Sequence, residues 1–163
     1  MVATPTANAV QSPLRLNLGC SDSHVKGAVN VDLCEPADVI ADLSKRWPWP
    51  DSSVDGITAW DIFEHLPEKL HTLNEAYRVL KPGANLDMVV PTTDGRGAFQ
   101  DPTHRSFWTP NDLFYWCEEY AEWARFRLAY GIIAQFRIIS VHHTECPNKV
   151  WKLRAVLQAV KGE

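Results

Sequence analysis

The strongest constraint on this chain is a short gap. The apolar stretch Leu14–Leu18 runs into Gly19-Cys20, a second stretch, Ala28–Asp32, ends in a carboxylate, and only seven residues separate Cys20 from Ala28. Short apolar runs that end in turn or acidic residues read as buried parallel strands. Seven residues are too few for the crossover helix that a dinucleotide-binding sheet places after its first strand.

In open α/β sheets, ligands sit beyond the carboxyl ends of the strands, so the residues after each strand belong together. Asn17 lies near the end of the first strand and Gly19, Cys20 and Ser21 follow it, while Asp32 and Leu33 close the second. Weaker strand signals over Asp38–Leu43 and Val54–Trp60 add Asp42, Leu43, Trp60 and Asp61. Gly19 lets the backbone approach a ligand closely. Asp32 is placed for its carboxylate to accept hydrogen bonds from two ribose hydroxyls.

Further along, Leu70, Leu73, Ala76, Tyr77 and Leu80 recur at helical spacing, which predicts an amphipathic helix over Glu68–Leu80, stopped by Pro82-Gly83. A buried strand over Leu86–Val90 follows. Thr109 as cap, Pro110 and Asp112 predict a second helix with a stripe of Leu113, Trp116, Cys117, Tyr120 and Ala124. Ile132–His143 and Lys149–Val160 are strand-like and only five residues apart, which predicts an antiparallel hairpin and a sheet closed by a reversed edge strand. With 163 residues and no internal linker, residues 14–163 form one expected domain and residues 1–13, small and polar, a loose tail.

Composition narrows the partners. A net charge of -4 and no long Lys/Arg run argue against nucleic acid. No stretch approaches the roughly 20 apolar residues that cross a bilayer. The N-terminal residues lack the pattern of a signal peptide. Cys20, Cys34, Cys117 and Cys146 show no paired spacing and read as free thiols, so the expected location is cytoplasmic.

Five elements in register carry a family resemblance. Leu16-Asn17-Leu18-Gly19-Cys20, Asn30-Val31-Asp32, Trp49-Pro50-Asp51-Ser52-Ser53-Val54-Asp55, Glu64-His65-Leu66 and Val79-Leu80-Lys81-Pro82-Gly83 together resemble the class I, seven-stranded S-adenosylmethionine-dependent methyltransferases, in particular their compact type 11-like branch. The resemblance spans about residues 14–91. It implies an α/β, Rossmann-like, mostly parallel sheet with an antiparallel C-terminal hairpin strand and a much reduced helix between the first two strands. It also implies S-adenosylmethionine as cofactor, with S-adenosylhomocysteine as product. The Gly19 loop would wrap the methionine and ribose, Asp32 would hold the ribose, Asp42 and Leu43 would face the adenine, and Trp60 and Asp61 would border the transferring methyl. The missing crossover helix suits this cofactor, which carries no phosphate to be held at a helix N-terminus. One departure stands out: Ser21 replaces the family's usual glycine.

The acceptor side is expected in the loop Thr92–Trp108, whose Asp101-Pro102-Thr103-His104 segment is similar to one found in compact methyltransferases. Histidine titrates near neutrality, so His104 is the candidate base for an oxygen or nitrogen acceptor, with Asp101 as its orienting partner. His65 is counted with the cofactor-binding candidates; beside Glu64 at a helix start it reads as a capping or packing residue ahead of a second base. His142 and His143 point to opposite faces of a strand, and Asp101, His104 and His24 share no ligand spacing, so no metal is expected. The leading reading is a methyltransferase acting on a small molecule. Its rivals are a catalytically silent methyltransferase-fold binding or regulatory protein, motivated by Ser21, and a nicotinamide-dependent oxidoreductase, opposed by the absence of Gly-x-Gly-x-x-Gly. A homo-oligomer, in which a neighbouring subunit covers the site, is also an expectation.

Overall fold

The computed structural model describes residues 12–162. Residues 1–11 of the expected tail lie outside that range. Seven strands make one sheet: β1 (Arg15–Leu18), β2 (Val29–Asp32), β3 (Val39–Ile40), β4 (Val54–Trp60), β5 (Leu80–Pro91), β6 (Phe136–Cys146) and β7 (Val150–Ala159). Their order is β3-β2-β1-β4-β5-β7-β6, parallel from β3 to β5, with β7 antiparallel to both β5 and β6. The reversed strand is therefore second from the edge. Among the described residues no helix is long and apolar enough to cross a membrane.

No helix joins β1 to β2. The longest helix among the described residues, α1 (Lys69–Val79), lies between β4 and β5 in the chain and buries Leu73, Ala76 and Val79. Beneath it run two inward rows of the sheet, Leu16–Ile57–Leu86–Leu157 and Leu18–Ala59–Met88–Ala155, all buried. Fully burying a leucine or methionine is worth roughly 1.5–3 kcal/mol, so these rows dominate the core. The opposite face carries Asn17, Thr58 and Asp87 in register, with Asp87 paired to Arg154 at 2.8 Å. β4, β5 and β7 alternate buried and partly exposed residues along much of their length, as strands do when one face packs on a core and the other meets solvent.

A buried ion pair fixes α1. Arg78 donates to Glu75 at 2.7 Å and to the carbonyls of Trp47 and Trp49, while Glu75 accepts from the Trp47 N–H. Burial pushes the Glu75 carboxyl up, but the Arg78 and Trp47 hydrogen bonds outweigh it and hold the group below its ordinary range.

Several expected elements differ, among them the first hairpin strand, expected over Ile132–His143 and found at Phe136–Cys146. The third strand shrinks to Val39–Ile40 because its flanking carboxylates take local donors: Asp38 accepts from the Asn30 backbone and amide, and Asp42 from Ser44. β5 begins at Leu80, directly after α1, and its pairing with β4 shifts register around Gly83, where φ is +74°. The loop before the second helix carries a helical turn, α2 (Gly97–Gln100), and the second helix itself breaks into short pieces, with helical turns α3 (Leu113–Trp116) and α4 (Ala121–Ala124). Its break is at Cys117, buried in extended conformation and bridged to Phe136, so tertiary burial overrides the helical pattern.

Candidate active site

Gly19 ends β1 in the left-handed region, φ +65°, and donates its N–H to the Val31 carbonyl at 2.8 Å. A Cβ here would stand 2.6 Å from Ile62 Cβ. Gly19 thus forms the narrow floor shared by two hollows. One is mostly apolar and lined by Asp32, Leu33, Ala41, Leu43, Ile62 and Leu66; the other runs past Ser21, His24, Thr58, Trp60 and Asp61.

Asp32 lines the apolar hollow and is tied to the second one through Ser21. Its Oδ2 accepts the Ser21 N–H at 2.9 Å and its Oδ1 the Leu33 N–H at 2.7 Å. Each oxygen keeps a further lone pair for a hydroxyl, and the two main-chain donors fix the carboxylate's aim. Ser21 adopts φ 42°, a conformation that glycine reaches without strain. An apolar slot, an aimed carboxylate and a polar channel thus follow one another along Gly19.

Most residues expected at this cofactor site line it. Leu33, 69% exposed, edges the apolar slot, and Leu43 is buried in its wall. Asp42 also lines the slot, but hydrogen bonds from Ser44 and Lys45 hold its carboxyl down at about 2. Trp60, 50% exposed, lies in the channel with the Arg154 guanidinium 5.2 Å from its ring centre. Asp61, φ 52°, is 2.5 Å from Lys152. Two residues act differently from a direct contact. Asn17 donates its amide to Ser23 and Asn30, which ties down the loop. Cys20 is 1% exposed and burial pushes its thiol up, leaving only its backbone for the channel.

Asp61 also borders a third pocket, shared with Glu64, His65, Gln100, Asp101 and His104. The expected loop is drawn onto the 3₁₀ turn Phe63–His65, where the Glu64 carbonyl accepts the Arg105 and Ser106 N–H groups and the Ser106 hydroxyl donates to Phe63. That places the His104 ring 4.9 Å from the His65 ring, edge on. Asp101 does not orient His104: the groups are 3.9 Å apart, and the Asp101 carboxylate binds Thr103 instead. The Ala98 carbonyl, 3.0 Å from His104 Nδ1, orients the ring.

Glu64 is a pocket residue that the sequence reading did not single out. It is 2% exposed, its Oε2 has no partner, and burial, reinforced by Asp61 and Asp101, pushes its carboxyl up to about 7. Glu64, His65 and His104 present ligand atoms within 4.8 Å of one another, whereas His24 lies away in the channel. The signal was an acidic residue next to a histidine at the mouth of the fourth strand, which reads equally well as a helix start.

The seven-stranded sheet is the fold of class I, Rossmann-like methyltransferases. Residues 19–86 match the family described as methyltransferase domain. A 52-residue stretch is 36% identical to the 27-O-demethylrifamycin SV methyltransferase of Amycolatopsis mediterranei, covering 29% of this chain but only 19% of that protein. The fold is shared with an S-adenosylmethionine-dependent methyltransferase from Methanosarcina mazei, at TM-score 0.62 and 16% identity over 94% of this chain and 95% of that one. It is shared too with the 1,6-didemethyltoxoflavin-N1-methyltransferase of Burkholderia thailandensis, crystallised with bound 1,6-didemethyltoxoflavin and S-adenosylhomocysteine, at TM-score 0.62 and 17% identity over 91% and 72% of the two chains.

Proposed function

We propose that this chain methylates an oxygen or nitrogen atom of a small molecule. The observation that carries the reading is the shared border at Asp61, which joins the cofactor channel to a pocket walled by Glu64, His65 and His104. When bound, S-adenosylmethionine supplies a sulfonium methyl: the acceptor's lone pair bonds to that carbon, the carbon–sulfur bond breaks onto sulfur, and S-adenosylhomocysteine and one proton remain. In-line displacement draws most of its acceleration from alignment, which the rigid Gly19 turn and the Asp32 carboxylate provide on the donor side. His104 is the residue on which loss of the acceptor's proton depends, because its ring is held by Ala98 with Nε2 facing the pocket. Small-molecule methyltransferases among the similar proteins support this acceptor class. Four free thiols suit a cytoplasmic setting.

The test is transfer of isotopically labelled methyl from S-adenosylmethionine to a panel of phenols, hydroxy acids and amines. Labelled product is expected, with turnover reduced at least about 100-fold in His104→Ala while S-adenosylhomocysteine binding persists. Cofactor binding with no transfer to any acceptor would favour the silent binding protein instead.

A further inference from the structure

We propose that Glu64, His65 and His104 bind a divalent first-row transition-metal cation. The tautomers follow from the neighbours. His104 Nδ1 faces the Ala98 carbonyl, which only accepts, so that nitrogen carries the proton and Nε2 presents a lone pair. Thr103 gives its single hydroxyl proton to Asp101 at 2.7 Å, so its oxygen accepts from His65 Nδ1 at 3.0 Å, and His65 Nε2 is likewise a lone pair. The third member is the buried, unpartnered Oε2 of Glu64. One ligand atom from each of Glu64, His65 and His104 therefore lies within 4.8 Å of the other two.

A buried acceptor without a partner is costly, and a cation satisfies all three together. Lys152, which lines the same pocket, is engaged by Asp61. Ligand atoms about 2.1 Å from a metal stand about 3–3.5 Å from one another, which modest side-chain rotations reach from here. The set is two imidazoles and one carboxylate, each imidazole held through its other nitrogen, which is the arrangement that fixes histidine ligands. Manganese, iron, cobalt and zinc accept such ligands and leave coordination positions open toward the pocket.

Taken with the methyl-transfer reading, on which this extension rests, the cation narrows the acceptor to an oxygen acid such as a phenol or hydroxy acid. Its O–H releases the proton to solvent as the oxygen enters an open coordination position, and that oxygen then forms the bond to carbon as the carbon–sulfur bond breaks onto sulfur. His104 is then a ligand rather than the group that keeps the proton.

The test uses the whole chain, stripped of metal with a chelator and desalted. Mn²⁺ is titrated with the free-ion paramagnetic resonance signal as readout, and Zn²⁺ by calorimetry, both without cofactor. One cation per chain is expected with micromolar or tighter affinity, weakened at least about 100-fold in Glu64→Gln. If Glu64→Gln does not fold, His65→Ala, at a half-buried position, carries the same expectation. No binding below millimolar Mn²⁺ or Zn²⁺ would overturn the site. So would binding that survives in a folded Glu64→Gln, or Zn²⁺ binding lost only when the thiols are blocked. Because no cofactor is present, failure here leaves the methyltransferase reading standing, and failure to bind S-adenosylhomocysteine leaves the cation site standing.

Discussion

Replacing Gly19 by alanine tests the floor of the cofactor cleft. Its φ of +65° is disfavoured for any residue with a Cβ, at about 1–2 kcal/mol. The new Cβ would also stand 2.6, 2.7 and 2.8 Å from Ile62 Cβ, Cγ1 and Cδ1. Because Ile62 Cβ is fixed to the backbone, rotating the side chain cannot clear it, and overpacking of this kind costs about 1–3 kcal/mol. The two effects sum to about 2–5 kcal/mol, and each kcal/mol lowers the melting temperature of a chain this size by about 2–4 °C. Calorimetry with S-adenosylhomocysteine and thermal unfolding of the variant measure how the strain divides between lost affinity and lost stability. Ile62→Ala leaves the 2.6 Å contact in place and should rescue little, while Ile62→Gly should recover the collision but not the φ cost. A Gly19→Ala chain with unchanged melting temperature and affinity, or one rescued fully by Ile62→Ala, would refute the reasoning.

Two further outcomes follow from buried groups. Arg78→Ala strands the buried Glu75 carboxylate and should cost about 3–5 kcal/mol in denaturant unfolding, whereas Glu75→Gln in the same assay should cost less. Because Glu75 is held below its ordinary range, its contribution is present above the unfolded carboxyl pKa and fades as pH falls through the folded one; the wild type should lose stability there, and Glu75→Gln should lose less. A thiol reagent at neutral pH should label exposed Cys34 first, with buried Cys20 slow and Cys117, pushed up to about 12 by burial, slowest; mass spectrometry of the labelled peptides reads the order.

Much of the parallel half was legible because its signals are local. β4 covers the same residues, Val54–Trp60, as the strand read from the sequence, and α1 falls within one residue of its apolar periodicity. The short gap after Cys20 correctly excluded a helix, and Asp32 stands where that gap placed it. What failed was set by distant partners. Cys117 breaks a well-patterned helix because Phe136 bridges to it across the chain, and β7 enters between β5 and β6, a choice no loop length reveals. In the candidate site, Asp101 and His104 have the i,i+3 spacing of a hydrogen-bonded pair, yet Thr103 and Ala98 take those bonds. The meeting of Glu64 with His104 needs residues 40 positions apart, fastened by main-chain bonds from Arg105 and Ser106 that side-chain patterns do not encode.

The central claim is that the cleft across Gly19 and Asp32 holds S-adenosylmethionine. Titration calorimetry of the whole chain with S-adenosylhomocysteine tests it most directly. One site per chain is expected, weakened about 10²–10⁴-fold in Asp32→Ala through the loss of two hydrogen bonds to a charged acceptor. No heat of binding at millimolar ligand, or an Asp32→Ala chain that binds as the wild type does, would contradict the account.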